Sequence, residues 1–316
     1  MRNNRTITSM KRLALFAILA LGIASCDKDE TPAKDDTTVT VDYHQTATTQ
    51  FIESGDTKYA YRVLGQKEGT PLVILSPLGG SLDDWDPAIT NGLAQKNKVI
   101  IFDNQGVGSS TGKTPATIAD MAKGAVTFIK ALGYTKVNLM GFSMGGFVTQ
   151  QIALTEPALV NKIILTGTGP KGSEGLSNLP NLLSAAAGLS PKESFLLFGF
   201  TSSAESRSAG EQSYARVQKR TVNRDAPVSN ESFGAQLTAV LAWAQPYPNA
   251  LKELETITQP VLHIQGQKDV PVPVINAVNM SQHIPNARLS VYPDAGHAAF
   301  TQYPEQFVEQ ANDFLK

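Results

Sequence analysis

Gly141-Phe142-Ser143-Met144-Gly145 follows a run of strand character, residues 136–140, and opens a run of helical character. A serine between glycines at a strand-to-helix junction is the pattern of a nucleophile elbow. That turn is so sharp that a β-carbon on a flanking residue would strike neighbouring backbone. Ser143 is therefore the candidate nucleophile. Glycine and serine are common, so the pentapeptide alone also fits an ordinary turn, and its weight depends on partners elsewhere in the chain.

Those partners should follow in the order carboxylate then histidine, each at the end of a later strand. The chain has four histidines. His44 precedes the expected core, His263 lies inside the apolar run 261–264, and His283 falls at the end of a helical stretch where a solvated histidine is ordinary. His297, in Asp294-Ala295-Gly296-His297, comes directly after the strand-like run 288–292 and is the candidate general base. Asp269 ends Gly266-Gln267-Lys268-Asp269 after the strand-like run 261–265, which makes it the candidate orienting acid. Asp294 stands only three residues before His297 and is expected to bond its own turn. The loop 166–170 after the preceding strand carries no carboxylate.

Negative charge developing on a carbonyl oxygen needs two N–H donors, and the elbow supplies one from Met144. The second is expected from Ser76-Pro77-Leu78-Gly79-Gly80, the loop after the apolar run Leu72–Leu75. Pro77 has no N–H to give. Leu78 is the expected donor, with Gly79 as the alternative.

From Thr49 onward, strand-like and helical runs alternate, which predicts a mostly parallel sheet with helices on both faces. Residues 49–53 and 58–63 flank Gly55-Asp56 as a leading hairpin. Helices are expected from about Pro115 to Leu132, capped by Thr114, and from about Pro304 to Leu315, with Phe307, Val308 and Phe314 on the apolar side. Between Gly169 and about Thr258 the alternation stops, and the stretch is helical in tendency, broken by Gly172, Gly175, Pro180, Gly188 and Pro191.

Taken together, residues 76–80 with Trp85, 102–109, 141–146, 266–269 and 295–297 resemble serine hydrolases of the α/β-hydrolase fold, in the capped esterase, lactonase and haloperoxidase-like branch. The resemblance spans about Thr49 to Lys316. It implies a helical cap inserted after the sixth strand, over about 170–258, and a domain over 46–316. Where many relatives open the oxyanion loop with His-Gly, this chain has Ser76-Pro77. The resemblance also gives Asp103 and its glycines a structural role in shaping a loop. That segment matches neither a P-loop nor a dinucleotide fingerprint. Among aromatics in the cap, Phe195, Phe198, Phe200, Trp243 and Tyr247 are candidates to line the pocket, and packing against the core is the ordinary alternative. The implied activity is hydrolysis of a small ester or lactone through an acyl-enzyme on Ser143. The alternatives are a carbon–carbon bond hydrolase or cofactor-free perhydrolase with the same triad, or a ligand-binding protein without turnover.

Arg2, Arg5, Lys11 and Arg12 precede an eleven-residue apolar run, residues 13–23, too short to span a bilayer. The segment 1–25 is expected to be a signal peptide. Ile23-Ala24-Ser25-Cys26 resembles a bacterial lipobox, which implies lipidation of Cys26, the chain's only cysteine, and export to a membrane-anchored site on the periplasmic face or cell surface. A lone cysteine also excludes an internal disulfide. Residues 26–45 are acidic, threonine-rich and poor in apolar groups, and are expected to form a flexible tether. The formal charge is −1. No basic stripe or RNA-binding signature points to nucleic acid, and no cofactor motif or metal-ligand cluster is visible.

Overall fold

The computed structural model describes residues 41–316; the expected signal peptide, the expected lipidation site Cys26 and the expected tether up to residue 40 lie outside the described residues. Eight strands form one sheet: β1 (Gln50–Ser54), β2 (Thr57–Leu64), β3 (Leu72–Leu75), β4 (Val99–Phe102), β5 (Val137–Phe142), β6 (Val160–Thr166), β7 (Val261–Gly266) and β8 (Ala287–Tyr292). Their spatial order is β1-β2-β4-β3-β5-β6-β7-β8. The β1–β2 hairpin and the β2–β4 pair are antiparallel, and every pair from β4 to β8 is parallel.

Strands covered on both faces must be apolar at every position. All four residues of β3 and of β4 are fully buried or nearly so, and their alternation divides the core in two. Val73 and Leu75 face a cluster with α3 (Ile118–Ala131) and α4 (Met144–Thr155), while Leu72 and Ile74 face one with α2 (Pro87–Ala94) and the C-terminal helices α11 (Ala299–Gln302) and α12 (Pro304–Leu315). Each such buried aliphatic side chain contributes roughly 1.5–3 kcal/mol. On α12, Phe307 is fully buried, and Val308 and Phe314 pack beside it as their spacing predicts. The third helix starts later than expected: Thr117, not Thr114, caps it, accepting from Asp120 N at 3.1 Å.

The amino-terminal boundary also differs. Residues 43–46 form the short helix α1 (Tyr43–Thr46), capped by Asp42, so the expected tether ends before residue 45 and the folded unit begins near Val41. His44 is buried against α2, with its Nδ1 3.0 Å from Thr90 Oγ1, and burial lowers its pKa to about 4. Arg220 fixes this segment from a distance, donating to the carbonyls of His44, Gln45 and Ala47 at 2.6, 3.1 and 2.9 Å. Local composition carries no trace of a partner 175 residues away.

Between β6 and β7 come α5 (Leu179–Ala186), α6 (Pro191–Gly199), α7 (Ala204–Val217), α8 (Asn230–Trp243) and α9 (Ala250–Leu254), with α10 (Ile275–His283) following β7. Helices α5 to α8 roof the carboxyl ends of the central strands. The insertion packs on the core along its length, with Leu176, Leu179, Val240, Trp243 and Leu254 in the cluster that β3 shares with α3 and α4.

The roof is riveted to the core beside the loop that follows β3. Asp103, just after β4, accepts from Leu82 N at 2.9 Å and Ser109 N at 3.2 Å, so it shapes its loop. Asp225, between α7 and α8, takes the Ser109 hydroxyl and faces Asp103. Burial, and then the Asp225 charge, push the Asp103 carboxyl up to about 9. A carboxyl whose folded pKa is raised binds more protons folded than unfolded, so its contribution to stability is lost as pH climbs from about 4 towards about 9. Asp225→Asn removes the like charge and keeps an oxygen for Ser109. Its melting temperature relative to the wild type is expected to be higher by about 2 °C or more at pH 8.5 than at pH 5, read by differential scanning fluorimetry.

Candidate active site

The turn between β5 and α4 holds Ser143 at φ 53°, ψ −118°, a conformation few non-glycine residues adopt. Glycines make room for it. A β-carbon on Gly145 would sit 2.0 Å from the Leu75 carbonyl oxygen, and one on Gly141 would sit 2.4 Å from that of Gly145. The Ser143 carbonyl accepts from Gly146 N at 2.8 Å and from Thr168 Oγ1 at 2.9 Å. The hydroxyl, by contrast, has no hydrogen-bond partner among the described residues. It opens into a cavity of about 350 Å³ that His297 also lines.

His297 stands on the turn after β8, and its Nδ1 lies 2.9 Å from Asp269 Oδ2. Asp269 is buried on the loop after β7 and makes two further contacts: Val272 N donates to Oδ1 at 2.9 Å and Gln265 Nε2 to Oδ2 at 2.7 Å. The structure thus joins two of the three expected side chains by a hydrogen bond and brings the third to the same cavity. The rejected histidines lie elsewhere. His263 is enclosed within β7, where burial lowers its pKa to about 4, and His283 Nδ1 lies 2.8 Å from the carbonyl of Asn279 at the end of α10. Asp294 turns away from His297 to Lys268, Ser203 and Thr201, and the Lys268 hydrogen bond comes first among the causes holding it at about 2.

The two candidate oxyanion donors are distinguished by what their neighbours do. Gly79 N–H is taken by Gln236 Oε1 at 2.8 Å, and Gly80 N–H by the Pro77 carbonyl at 3.1 Å. Among the described residues, the N–H groups of Leu78 and Met144 donate to no protein acceptor. Trp85 Nε1 donates to Ser76 Oγ at 3.2 Å, which fixes the first residue of the loop.

Gln236 and Gln265 were not among the expected site residues. Gln265 has a faint signal, an amide at the inward end of a buried strand four residues before Asp269. Gln236 has none, because the face α8 turns to the core is not readable from its sequence. Of the five candidate aromatics, Phe195 and Phe198 line the cavity, as does Phe233, which was not among them. Phe200 packs with Leu196 and Ala298, Trp243 stacks on Phe147 at 5.2 Å, and Tyr247 is 43% exposed beneath Lys171. Among the described residues no group of three or more His, Cys, Asp or Glu could hold a metal ion, and no helix is long and apolar enough to cross a membrane.

Comparison with known proteins extends this picture. A family model described as alpha/beta hydrolase fold matches residues 70–304. A solved alpha/beta hydrolase fold protein from Chitinophaga pinensis aligns at a TM-score of 0.84 and 43% identity, over 86% of this chain and 98% of that one. A solved N-acyl homoserine lactone degrading enzyme aligns at 0.65 and 28% identity, over 84% and 100%. The pimeloyl-(acyl-carrier protein) methyl ester esterase of Aliivibrio salmonicida is 27% identical over 254 residues, covering 79% of this chain and 93% of the esterase.

Proposed function

Since the chain belongs to the alpha/beta hydrolase fold family, we propose that it is a serine hydrolase of small esters or lactones, acting through an acyl-enzyme on Ser143. The observation that carries this reading is the Asp269–His297 hydrogen bond at the rim of the cavity into which the strained Ser143 hydroxyl opens. Relatives that act on a methyl ester and on an acyl homoserine lactone agree with it.

In this mechanism Asp269 holds the proton on His297 Nδ1, leaving Nε2 as the base. Nε2 takes the Ser143 proton as Oγ attacks the substrate carbonyl, and the resulting oxyanion is met by the N–H groups of Met144 and Leu78. The imidazolium then protonates the leaving alkoxide, and the carbon–oxygen bond breaks. Water, deprotonated by the same nitrogen, attacks the acyl-enzyme and restores Ser143. Export and lipidation at Cys26 belong to the same proposal and rest on the pattern of residues 2–26 alone.

A fluorophosphonate probe is expected to add one adduct by intact-mass readout, located on Ser143 and absent from Ser143→Ala; a folded protein that fails to label would remove the basis of the reading. Ser143→Ala should bring p-nitrophenyl ester hydrolysis to background, and Asp269→Asn should lower kcat by about 10⁴-fold through the wrong imidazole tautomer. Steady-state kinetics that retain a rate within about tenfold in either variant would assign the reaction to other residues. Cys26→Ala should move the protein from the membrane to the soluble fraction of its host on ultracentrifugation.

A further inference from the structure

We propose that Asp84 makes the cavity a receptor for esters or lactones whose apolar portion ends in a primary ammonium group; the inference rests on the serine hydrolase reading above.

The wall of the cavity is largely apolar, built from side chains such as Leu176, Leu179, Phe195, Phe198 and Phe233. Two carboxylates interrupt it, and they differ in what they already hold. Asp86 is saturated: Arg216 grips it with two N–H groups at 2.8 and 2.6 Å, Ser213 donates at 2.7 Å and Ala88 N at 2.8 Å. Asp84 is half-used. Its Oδ2 accepts from Ser81 N at 2.8 Å and Ser81 Oγ at 2.9 Å, which closes the short helical turn Leu82–Asp84. Oδ1 accepts no hydrogen bond from any described residue, and capping that turn requires nothing of it.

No protein cation is hydrogen-bonded to this oxygen. Arg224 is the basic residue whose charge acts on Asp84, and its guanidinium donates instead to the carbonyls of Val217 and Arg220 at 2.9 and 3.2 Å. Asp84 is reached by solvent through the recesses it lines, yet the protein around it shields it enough to raise its carboxyl above the usual range. It also lies where the apolar cavity meets a second recess, with Leu78, Phe195, Phe198 and Phe233 common to both. The charged residues lining that recess are Asp83, Asp84 and Asp225 against Arg224 alone.

A carboxylate oxygen without a protein donor, at the edge of an apolar wall, gains most from a charged donor, because charge-assisted hydrogen bonds are about twice as strong as neutral ones. An alkyl chain against the leucine and phenylalanine wall, ending in an ammonium at Oδ1, satisfies both parts of the surface. A chain ending in a carboxylate would meet a like charge and be rejected.

Calorimetric titration of the wild-type protein at pH 7.5 with hexylammonium, hexanol and hexanoate tests this without turnover. Hexylammonium is expected to bind at least tenfold more tightly than hexanol, with hexanoate weakest. In Asp84→Asn the ammonium and the alcohol should bind within about threefold of each other, and Asp84→Ser serves if the first variant does not fold. Equal binding of the three in the wild type, or an ammonium preference that survives loss of the carboxylate, would overturn the proposal. Fluorophosphonate labelling of the same preparation separates the two failures. A protein that labels at Ser143 without preferring the ammonium keeps the hydrolase reading and loses this one; a protein that binds the ammonium without labelling does the reverse.

Discussion

The site depends on one strained backbone turn. Ser143 occupies a region of φ, ψ space that costs a non-glycine residue about 1–3 kcal/mol, and the surroundings must over-determine it for the turn to persist. They do so by closeness. Gly141 lets β5 approach the backbone of α4, Gly145 lets α4 approach the end of β3 at Leu75, and Gly146 sits where a β-carbon would strike Thr168. The turn lies on the central strand of the sheet, between β3 and β6, so the stabilisation of the whole buried sheet is available to hold it. The result is a hydroxyl raised from the carboxyl edge of the sheet, beside loops that follow β3, β7 and β8.

Around that turn, polar anchors connect elements that burial alone would leave free to slide. From the cap helix α8, Gln236 reaches the oxyanion loop at Gly79, Ser232 reaches the Gly106 carbonyl at 2.6 Å, and Trp243 reaches that of Gly169 at 3.3 Å. The first of these bears on the proposed chemistry. By occupying the N–H of Gly79 it leaves the neighbouring N–H of Leu78 as the donor available on that loop. The cap therefore helps set the loop after β3, the proposed oxyanion loop, as well as roofing the cavity.

How much of this was legible in the sequence follows from where each constraint is written. The sheet was legible because β3 and β4 are apolar at every position, and the elbow because its glycines answer a local steric demand. The hydrogen-bonded pair Asp269 and His297 was legible because each follows closely on a segment that reads as a strand. Residues whose purpose lies far away were not legible. Arg220 binds three carbonyls of the amino-terminal segment, so residues 42–45 looked like tether when read by composition. Cap aromatics were equally opaque: Phe198 and Phe200 differ by two residues, yet Phe198, on α6, lines the cavity while Phe200, in extended backbone just past the end of α6, packs on Leu196 and Ala298, because where the helix stops and what lies beside it are set by tertiary contact.

The support given to Asp269 has a consequence for the proposed mechanism. Besides His297, its carboxylate is held by a backbone N–H from Val272 and by the neutral amide of Gln265, which is itself anchored to the Val272 carbonyl at 2.7 Å. Lys or Arg in place of Gln265 would fix the same rotamer but would already balance the carboxylate's charge. Neutral donors orient Asp269 and leave its charge uncompensated until an imidazolium forms 2.9 Å away. In a buried site an attraction at that distance is only weakly screened. Its stabilisation is then greatest when His297 carries the proton taken from Ser143, so the arrangement favours the transition state over the resting enzyme, as catalysis by differential binding requires.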